Sequence, residues 1–229
     1  MITENLKNVK DKIKKTCETN NIDSEKVRLI CVSKTKPENE IMECYDFGER
    51  DFGENKVQDM VDKYEHLPKD IKWHFIGHLQ RNKVKYLVGK AYLIHSVDSR
   101  RLLEQIEKDY KKEGLTANVL LEINVAEEES KFGYTTKSVM DDLEYISTLE
   151  NVKVKGLMTV APYTENPNEN AKYFKKLREL SVDIMDKKYD NISMEFLSMG
   201  MTGDYEVAIK EGATHVRVGT GIFGERNYK

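Results

Sequence analysis

Residues 28–37 read Arg-Leu-Ile-Cys-Val-Ser-Lys-Thr-Lys-Pro, and this stretch decides how the fold is predicted. Its apolar half, Leu29 to Val32, is typical of a buried β-strand. Pro37 stops the strand and suits the first turn of a helix. Lys34 therefore lies where a strand ends, and a lysine desolvated there has a lowered pKa and an amine available for Schiff-base chemistry. The competing interpretation is a lysine that extends its charge from a strand end into water.

The composition of the 229 residues suits one soluble globular domain, which we expect to span residues 1–229. The net charge of -3 provides no overall field that would recruit nucleic acid or an anionic membrane. No apolar run approaches the roughly 20 residues of a membrane span, and no signal peptide is visible. Cys17, Cys31 and Cys44 match no zinc motif. We therefore expect a cytoplasmic protein with reduced thiols.

Short apolar runs alternate with helical stripes along the whole chain. A leading helix carries Leu6, Val9, Ile13 and Cys17 at spacings of three and four. The predicted strands cover residues 28–34, 51–54, 72–77, 92–97, 118–125, 152–160, 195–200 and 215–219. Strands separated by helices predict a parallel sheet, and eight such units predict an α/β fold, a closed (β/α)8 TIM barrel with an additional N-terminal helix. An open doubly wound sheet, which usually has fewer strands, is the alternative.

Active sites of such barrels lie at the C-terminal ends of the strands, so the residues delivered there are the candidates for function. They are Ser33, Lys34, Glu54, Asn55, Gly77, His78, Asn124, Met158, Thr159, the segment 198–203, Arg217, Gly219 and Thr220.

The loops after the seventh and eighth strands have the chemistry of a phosphate site. Residues 198–203 and 219–221 combine glycines with hydroxyl side chains, and barrels of this kind often hold a phosphate at this corner. Ordinary turn glycines and capping hydroxyls explain either loop taken alone. Residues 219–224 also match GxGxxG, but too little chain follows to build the helix, strand and acidic residue that a dinucleotide site needs.

Arg217 lies two residues before Gly219, so its side chain is expected to point into the barrel. Its partner is either a core carboxylate or the ring nitrogen of a bound cofactor. A lysine at a strand end, two phosphate loops and an inward arginine together suggest pyridoxal 5'-phosphate.

At these residues the sequence resembles the pyridoxal phosphate homeostasis protein family, also called the YggS/PROSC-like family. The matching segments are residues 32–37, 52–55, 73–80 with 82–83, 156–158, 197–202 and 216–224. Two departures are Thr202, where serine is frequent, and Gly221, where alanine is common.

The resemblance implies a barrel like the N-terminal domain of alanine racemases, with pyridoxal 5'-phosphate held as an aldimine on Lys34. It also implies phosphate contacts from residues 198–202 and 219–220 and places Arg217 at the ring nitrogen. The predicted cofactor-binding residues are Lys34, Asn55, Met158, Ser198, Gly200, Met201, Thr202, Arg217, Gly219 and Thr220.

The family resemblance implies a role in intracellular vitamin B6 homeostasis, in which the protein buffers pyridoxal 5'-phosphate or delivers it to apo pyridoxal enzymes. Arginine has only donors, so a ring nitrogen facing Arg217 stays unprotonated and the ring withdraws electrons poorly. Alanine racemases add a second base from a separate β domain, which we expect this chain to lack. A carrier without an established reaction, acting as a monomer or weak dimer, is therefore favoured. The alternative is a low-activity amino-acid racemase that uses His78, Tyr163 or a cysteine as second base.

Overall fold

The computed structural model describes residues 1–128 and 131–225, and its eight strands form one closed parallel barrel in sequence order. The strands are β1 Arg28–Val32, β2 Asp51–Glu54, β3 Lys72–Phe75, β4 Ala91–Val97, β5 Ala117–Glu122, β6 Val152–Met158, β7 Ile192–Met201 and β8 His215–Val218. β1 pairs with both β2 and β8, which closes the sheet. The predicted (β/α)8 barrel is confirmed, and the open doubly wound sheet was the wrong alternative.

Helices separate the strands and cover the outside of the barrel. The α-helices are α1 Ile2–Thr19, α2 Glu38–Asp46, α3 Val57–His66, α4 Arg100–Lys112, α5 Thr136–Ser147, α6 Ala171–Met185, α7 Tyr205–Lys210 and α8 Thr220–Phe223. Short 3-10 helices occupy Ser24–Lys26, Arg81–Tyr86 and Pro167–Asn170. The connection between β3 and β4 is thus a 3-10 helix and not an α-helix. Val84 is buried within it, and Leu87, directly after it, is buried as well.

The N-terminal helix α1 packs against the first and last helices of the barrel. Its predicted stripe, Leu6, Val9, Ile13 and Cys17, is buried, and the helix contacts α2, α7 and α8. The Asn5 side-chain amide donates to the carbonyl oxygen of Ile222 at 3.0 Å. The additional helix therefore ties the beginning of the chain to the last elements of the barrel.

Two kinds of interior lie on the two sides of the sheet. Between strands and helices the core is apolar and includes Phe52, Trp73 and Phe174. Inside the barrel, a small cluster of Leu93, Leu120 and Met158 packs with Phe196. Buried histidines on β3, β4 and β8 share this interior with Arg217.

Within the described ranges, no helix combines the length and the apolar character needed to cross a bilayer.

Candidate functional site

A cavity of about 630 Å³ opens at the C-terminal ends of the strands, where the sequence predicts a site. Seven of the ten predicted cofactor-binding residues line it: Lys34, Asn55, Met201, Thr202, Arg217, Gly219 and Thr220. Its wall is completed by residues 160–164, Asp204, Asn170 and other neighbours. The volume is typical of a pocket for a small organic molecule.

Lys34 sits in a tight turn directly after β1. The amide of Lys36 donates to the carbonyl of Ser33 at 3.0 Å, which closes the turn with Lys34 and Thr35 at its centre. Thr35 has a φ of 64°, a left-handed conformation that costs a threonine free energy. The Thr35 hydroxyl donates to the carbonyl of Lys34 at 2.6 Å, which helps to hold this conformation. The turn thereby fixes the backbone from which the Lys34 side chain reaches the cavity.

A buried ion pair supports this turn from behind. The Lys63 ammonium donates to Glu54 Oε1 at 2.7 Å and to the carbonyl of Ser33 at 3.0 Å. The Ser33 hydroxyl donates to the same carboxylate oxygen at 2.6 Å. Burial raises the pKa of Glu54, and Lys63 opposes that rise.

Ser33 and Glu54, expected at the site, bond to each other and to Lys63 and are not part of the cavity lining among the described residues. A strand end alternates its side chains between two faces, and these two face the helix layer. The sequence analysis missed Lys63. Its position three residues after Met60, on the apolar stripe of α3, was the available signal.

The two glycine- and hydroxyl-containing loops meet, as the sequence predicts. The Thr220 hydroxyl donates to Thr202 Oγ1 at 3.2 Å, and the amide of Gly221 donates to the same oxygen at 3.4 Å. Asp204 braces the first loop by accepting from the amide of Met201 at 2.7 Å and from Asn170 Nδ2 at 2.8 Å. The sequence analysis did not identify these two braces, because their pairing depends on the tertiary structure.

Three of the ten predicted residues are not in the cavity lining among the described residues. Met158 packs in the interior cluster with Leu93 and Leu120. Gly200 has a φ of 88°, and a Cβ there would lie 2.5 Å from the Cβ of Ala208. The packing of α7 therefore requires glycine at position 200.

The third, Ser198, holds Arg217. Arg217 Nη1 donates to Ser198 Oγ at 2.5 Å, and Nη2 donates to the carbonyl of Thr159 at 2.8 Å. The hydrogen-bond partners of the guanidinium among the described residues are thus a hydroxyl and a backbone carbonyl, while the Glu122 and Asp204 carboxyl groups act on its pKa electrostatically. Burial lowers the pKa of Arg217 to about 10, which leaves it protonated at neutral pH.

Glu122, at the end of β5, is a second charged group that the sequence analysis missed. Desolvation raises its pKa to about 7; Asp98 adds to the rise and Arg217 opposes it. A largely buried carboxyl group therefore changes its charge near neutral pH close to the inward arginine.

Comparison with known proteins gives one consistent result. A family model for the N-terminal domain of alanine racemase matches residues 2–227. The chain is 48% identical over 226 residues to a pyridoxal phosphate homeostasis protein of Aquifex aeolicus, covering 98% of each. The structure of PipY of Synechococcus elongatus with PLP bound superimposes with a TM-score of 0.85 at 32% identity, covering 98% of this chain and 100% of that one.

A more distant likeness concerns the fold alone. Alanine racemase of Clostridium difficile gives a TM-score of 0.71 at 13% identity, covering 96% of this chain and 58% of the racemase. The racemase therefore contains a barrel of the same fold.

Proposed function

This chain belongs to the family of pyridoxal phosphate homeostasis proteins, and from that premise we propose that it binds pyridoxal 5'-phosphate at the C-terminal mouth of its barrel and buffers or delivers it. The observation that carries the proposal is a single cavity lined by Lys34, Arg217 and the linked loops of Thr202 and Thr220. These groups come from opposite ends of the sequence, and the closure of β1 on β8 brings them together.

The chemistry of the lining fits this cofactor. When bound, pyridoxal 5'-phosphate supplies an aldehyde that condenses with a lysine amine and a ring that withdraws electrons. Lys34 offers the amine, Thr202 and Thr220 offer hydroxyl donors for the phosphate, and Arg217 offers a donor for the ring nitrogen. Asn55 adds a buried Oδ1 that has no hydrogen-bond partner among the described residues and so is suited to a ligand contact.

The charge state of Arg217 supports a role in holding the cofactor rather than in turning over a substrate. Arg217 stays protonated at neutral pH and has donors only, so a ring nitrogen beside it is an acceptor. An unprotonated ring stabilises a carbanion less well than a protonated one. The names of the relatives agree with this role, since they describe homeostasis rather than a reaction.

A low-activity racemase is the second candidate, and one observation favours it. Tyr163 lines the cavity and is 95% exposed, so its hydroxyl is available as a second base. The other two candidates for that role are less suitable. His78 Nδ1 lies 3.2 Å from Asp98 Oδ2, and its ring stacks on Phe132 in a surface depression separate from the cavity. The three cysteines are buried.

Replacement of the lysine tests the proposed site. Purified protein incubated with pyridoxal 5'-phosphate should develop the visible absorbance of a lysine adduct, and Lys34→Ala should abolish it. Borohydride reduction followed by peptide mass spectrometry should place the label on Lys34. Lys56→Ala, a change of an exposed lysine outside the cavity lining, is the matched control and should label normally. Absorbance retained in Lys34→Ala would move the cofactor elsewhere.

Two assays separate carrier from catalyst. Loaded protein mixed with an apo pyridoxal enzyme should restore that enzyme's activity if the cofactor is delivered, whereas buffering alone predicts release at the rate of spontaneous dissociation. Slow racemisation of an amino acid that disappears in Tyr163→Phe would favour the second candidate. Racemisation at ordinary enzyme turnover, about 1–1000 per second, would overturn the carrier proposal.

A further inference from the structure

The barrel interior contains a row of buried polar side chains that the proposed function does not use. Asp51 Oδ1 lies 2.9 Å from His74 Nε2, and His74 Nδ1 lies 2.9 Å from His95 Nε2. His95 Nδ1 lies 2.9 Å from Ser198 Oγ, which accepts from Arg217. We call Asp51, His74, His95 and Ser198 the interior chain. Each hydrogen bond has good length, and all four residues are buried.

The interior chain runs the length of the barrel. Asp51 is the first residue of β2, at the N-terminal end of the strands, where the half-exposed Arg28 donates to its second carboxylate oxygen at 3.0 Å. From there the chain passes through β3 and β4 and crosses to β7. It ends on Arg217, which lines the cavity at the opposite end. The cavity is thus linked by hydrogen bonds to the far face of the molecule.

The two ends of the interior chain determine the direction of every hydrogen bond. Arg217 has only donors, so Ser198 Oγ must accept from it. An ionised Asp51 has only acceptors, so His74 must donate through Nε2. A neutral His74 then accepts at Nδ1, His95 donates through Nε2 and accepts at Nδ1, and the Ser198 hydroxyl donates to it. All donors point from the arginine toward the carboxylate.

The neutral state of both imidazoles agrees with their surroundings. Burial lowers the pKa of His74, although Asp51 opposes the fall. Burial also lowers the pKa of His95, and His74, His215 and Arg217 lower it further. If His95 were to present an N–H to Ser198 instead, the serine oxygen would receive two donors and its own proton would lose its acceptor. One arrangement therefore satisfies every member of the interior chain.

We propose that the interior chain is a set of positioning residues that holds the Arg217 guanidinium toward the cavity, so that the site selects a ligand whose aromatic ring carries an unprotonated nitrogen. The identity of the ligand rests on the proposed function, whereas the hydrogen-bond direction does not. The chain orients the buried guanidinium through the Ser198 hydroxyl, whereas a carboxylate bonded to it would compete with the ring for its donors.

The direction of the chain can be measured without ligand. In cofactor-free protein labelled with 15N-histidine, long-range 15N–1H correlation at pH 7 should show His74 and His95 both neutral and protonated on Nε2. An Nδ1-protonated form of either ring, or a charged imidazolium, would overturn the proposal.

The effect on the cavity is tested by ligand selectivity. Wild-type protein should bind pyridoxal 5'-phosphate on the order of tenfold more tightly than its 1-deaza analogue, in which C–H replaces the ring nitrogen. Ser198→Ala removes the link to Arg217 with little change of volume, and it should reduce that ratio to within about twofold, as should His95→Phe if it folds. An unchanged ratio in Ser198→Ala would overturn the proposal.

His215 supplies the matched control. It is a buried histidine on β8 whose ring centroid lies 6.1 Å from that of His74, yet it bonds to Thr214 and not to the interior chain. His215→Phe should leave both the selectivity ratio and the histidine tautomers unchanged. If its ratio falls as far as that of Ser198→Ala, the loss of selectivity comes from disturbed packing of the barrel interior and not from the interior chain. If wild-type protein fails to bind pyridoxal 5'-phosphate while the tautomers are as stated, the proposed function fails and the chain's direction stands.

Discussion

At the scale of single residues, charged side chains with different surroundings lie near the mouth of the barrel. Lys34 and Arg217 are the basic groups we assign to the ligand, and each is held by the backbone or by neighbouring side chains. Glu122 is the acidic counterpart, and its pKa of about 7 makes it sensitive to small changes of pH. The electrostatics near the site therefore vary across the neutral range through one carboxyl group.

Glu122 leads to a prediction about stability and pH. Its pKa is raised in the folded state, so between about pH 4.5 and 7 the folded protein binds a proton that the unfolded chain releases, and stability falls as pH rises through that window. Glu122→Gln replaces the ionisable carboxyl group with a neutral amide, so this loss of stability with rising pH should disappear. In cofactor-free protein the variant should be more stable than wild type by up to about 3 kcal/mol above pH 7 and equal to it below about pH 4.

Urea unfolding at a series of pH values measures this difference. Glu113→Gln, a change of an exposed glutamate after α4, should give curves that coincide with wild type throughout. A Glu122→Gln advantage that is constant with pH would mean that its cause is packing and not ionisation.

At the scale of elements, the loop from β7 to α7 contains one glycine that packs against a helix and one that lines the cavity. Gly200 has a positive φ and no room for a Cβ, because Ala208 and Tyr205 of α7 press against it. Gly203 lines the cavity, and a Cβ there would meet nothing within 4 Å. Glycine is thus required for helix packing at position 200, whereas at position 203 it borders the open cavity.

Alanine substitutions should separate these two roles. Gly200→Ala should destabilise the protein by about 2–4 kcal/mol, because it adds an overpacked methyl group to a strained backbone. Gly203→Ala is the matched control and should change stability by less than about 0.5 kcal/mol. Chemical unfolding midpoints of the two variants measure the effect. Equal midpoints would show that α7 moves aside at little cost.

The sequence predicted the elements better than their contacts. Apolar runs located all eight strands, although β5 ends at Glu122 rather than near residue 125 and β7 begins earlier, at Ile192. Ser99 precedes α4, a position that favours a serine cap, but its hydroxyl donates to Asp98 and makes no cap. Strands buried on both faces carry no alternation that reveals which residues point inward.

That limit explains which site residues were missed. Lys34, Arg217 and the glycine loops could be predicted because strand ends of a barrel meet at one face. The interior chain depends on register between strands distant in sequence, such as His95 on β4 and Ser198 on β7. Its histidines therefore gave no signal before the fold was known.

At the scale of the whole molecule, the three cysteines can report whether α1 detaches before the barrel unfolds. All three are buried, Cys31 in β1 and Cys44 in α2, while Cys17 lies on α1. Helix α1 is held by side chains, whereas β1 is paired on both sides. We therefore expect α1 to detach at a lower free energy than the barrel unfolds.

Thiol alkylation under native conditions checks this expectation. Leu6→Ala removes a buried side chain of α1, which should cost about 2–5 kcal/mol locally and raise the alkylation rate of Cys17 relative to Cys31 and Cys44. Leu103→Ala, an equally buried leucine on α4, should change the three rates together. Mass spectrometry of the labelled peptides gives each rate, and a parallel rise in Leu6→Ala would mean that α1 and the barrel open as one unit.

The pairing of β1 with β8 has a consequence for the working concentration of the protein. If the proposed buffering role is right, the protein binds its cargo one to one and has to be present in an amount comparable to that cargo, which is far more than an enzyme needs. Open sheets expose strand edges that recruit other chains when protein is abundant. In the described part of the chain the barrel leaves no such edge, because each of its eight strands has a neighbour on both sides. The fold therefore suits a protein that is present at high concentration and has to avoid aggregation through strand edges.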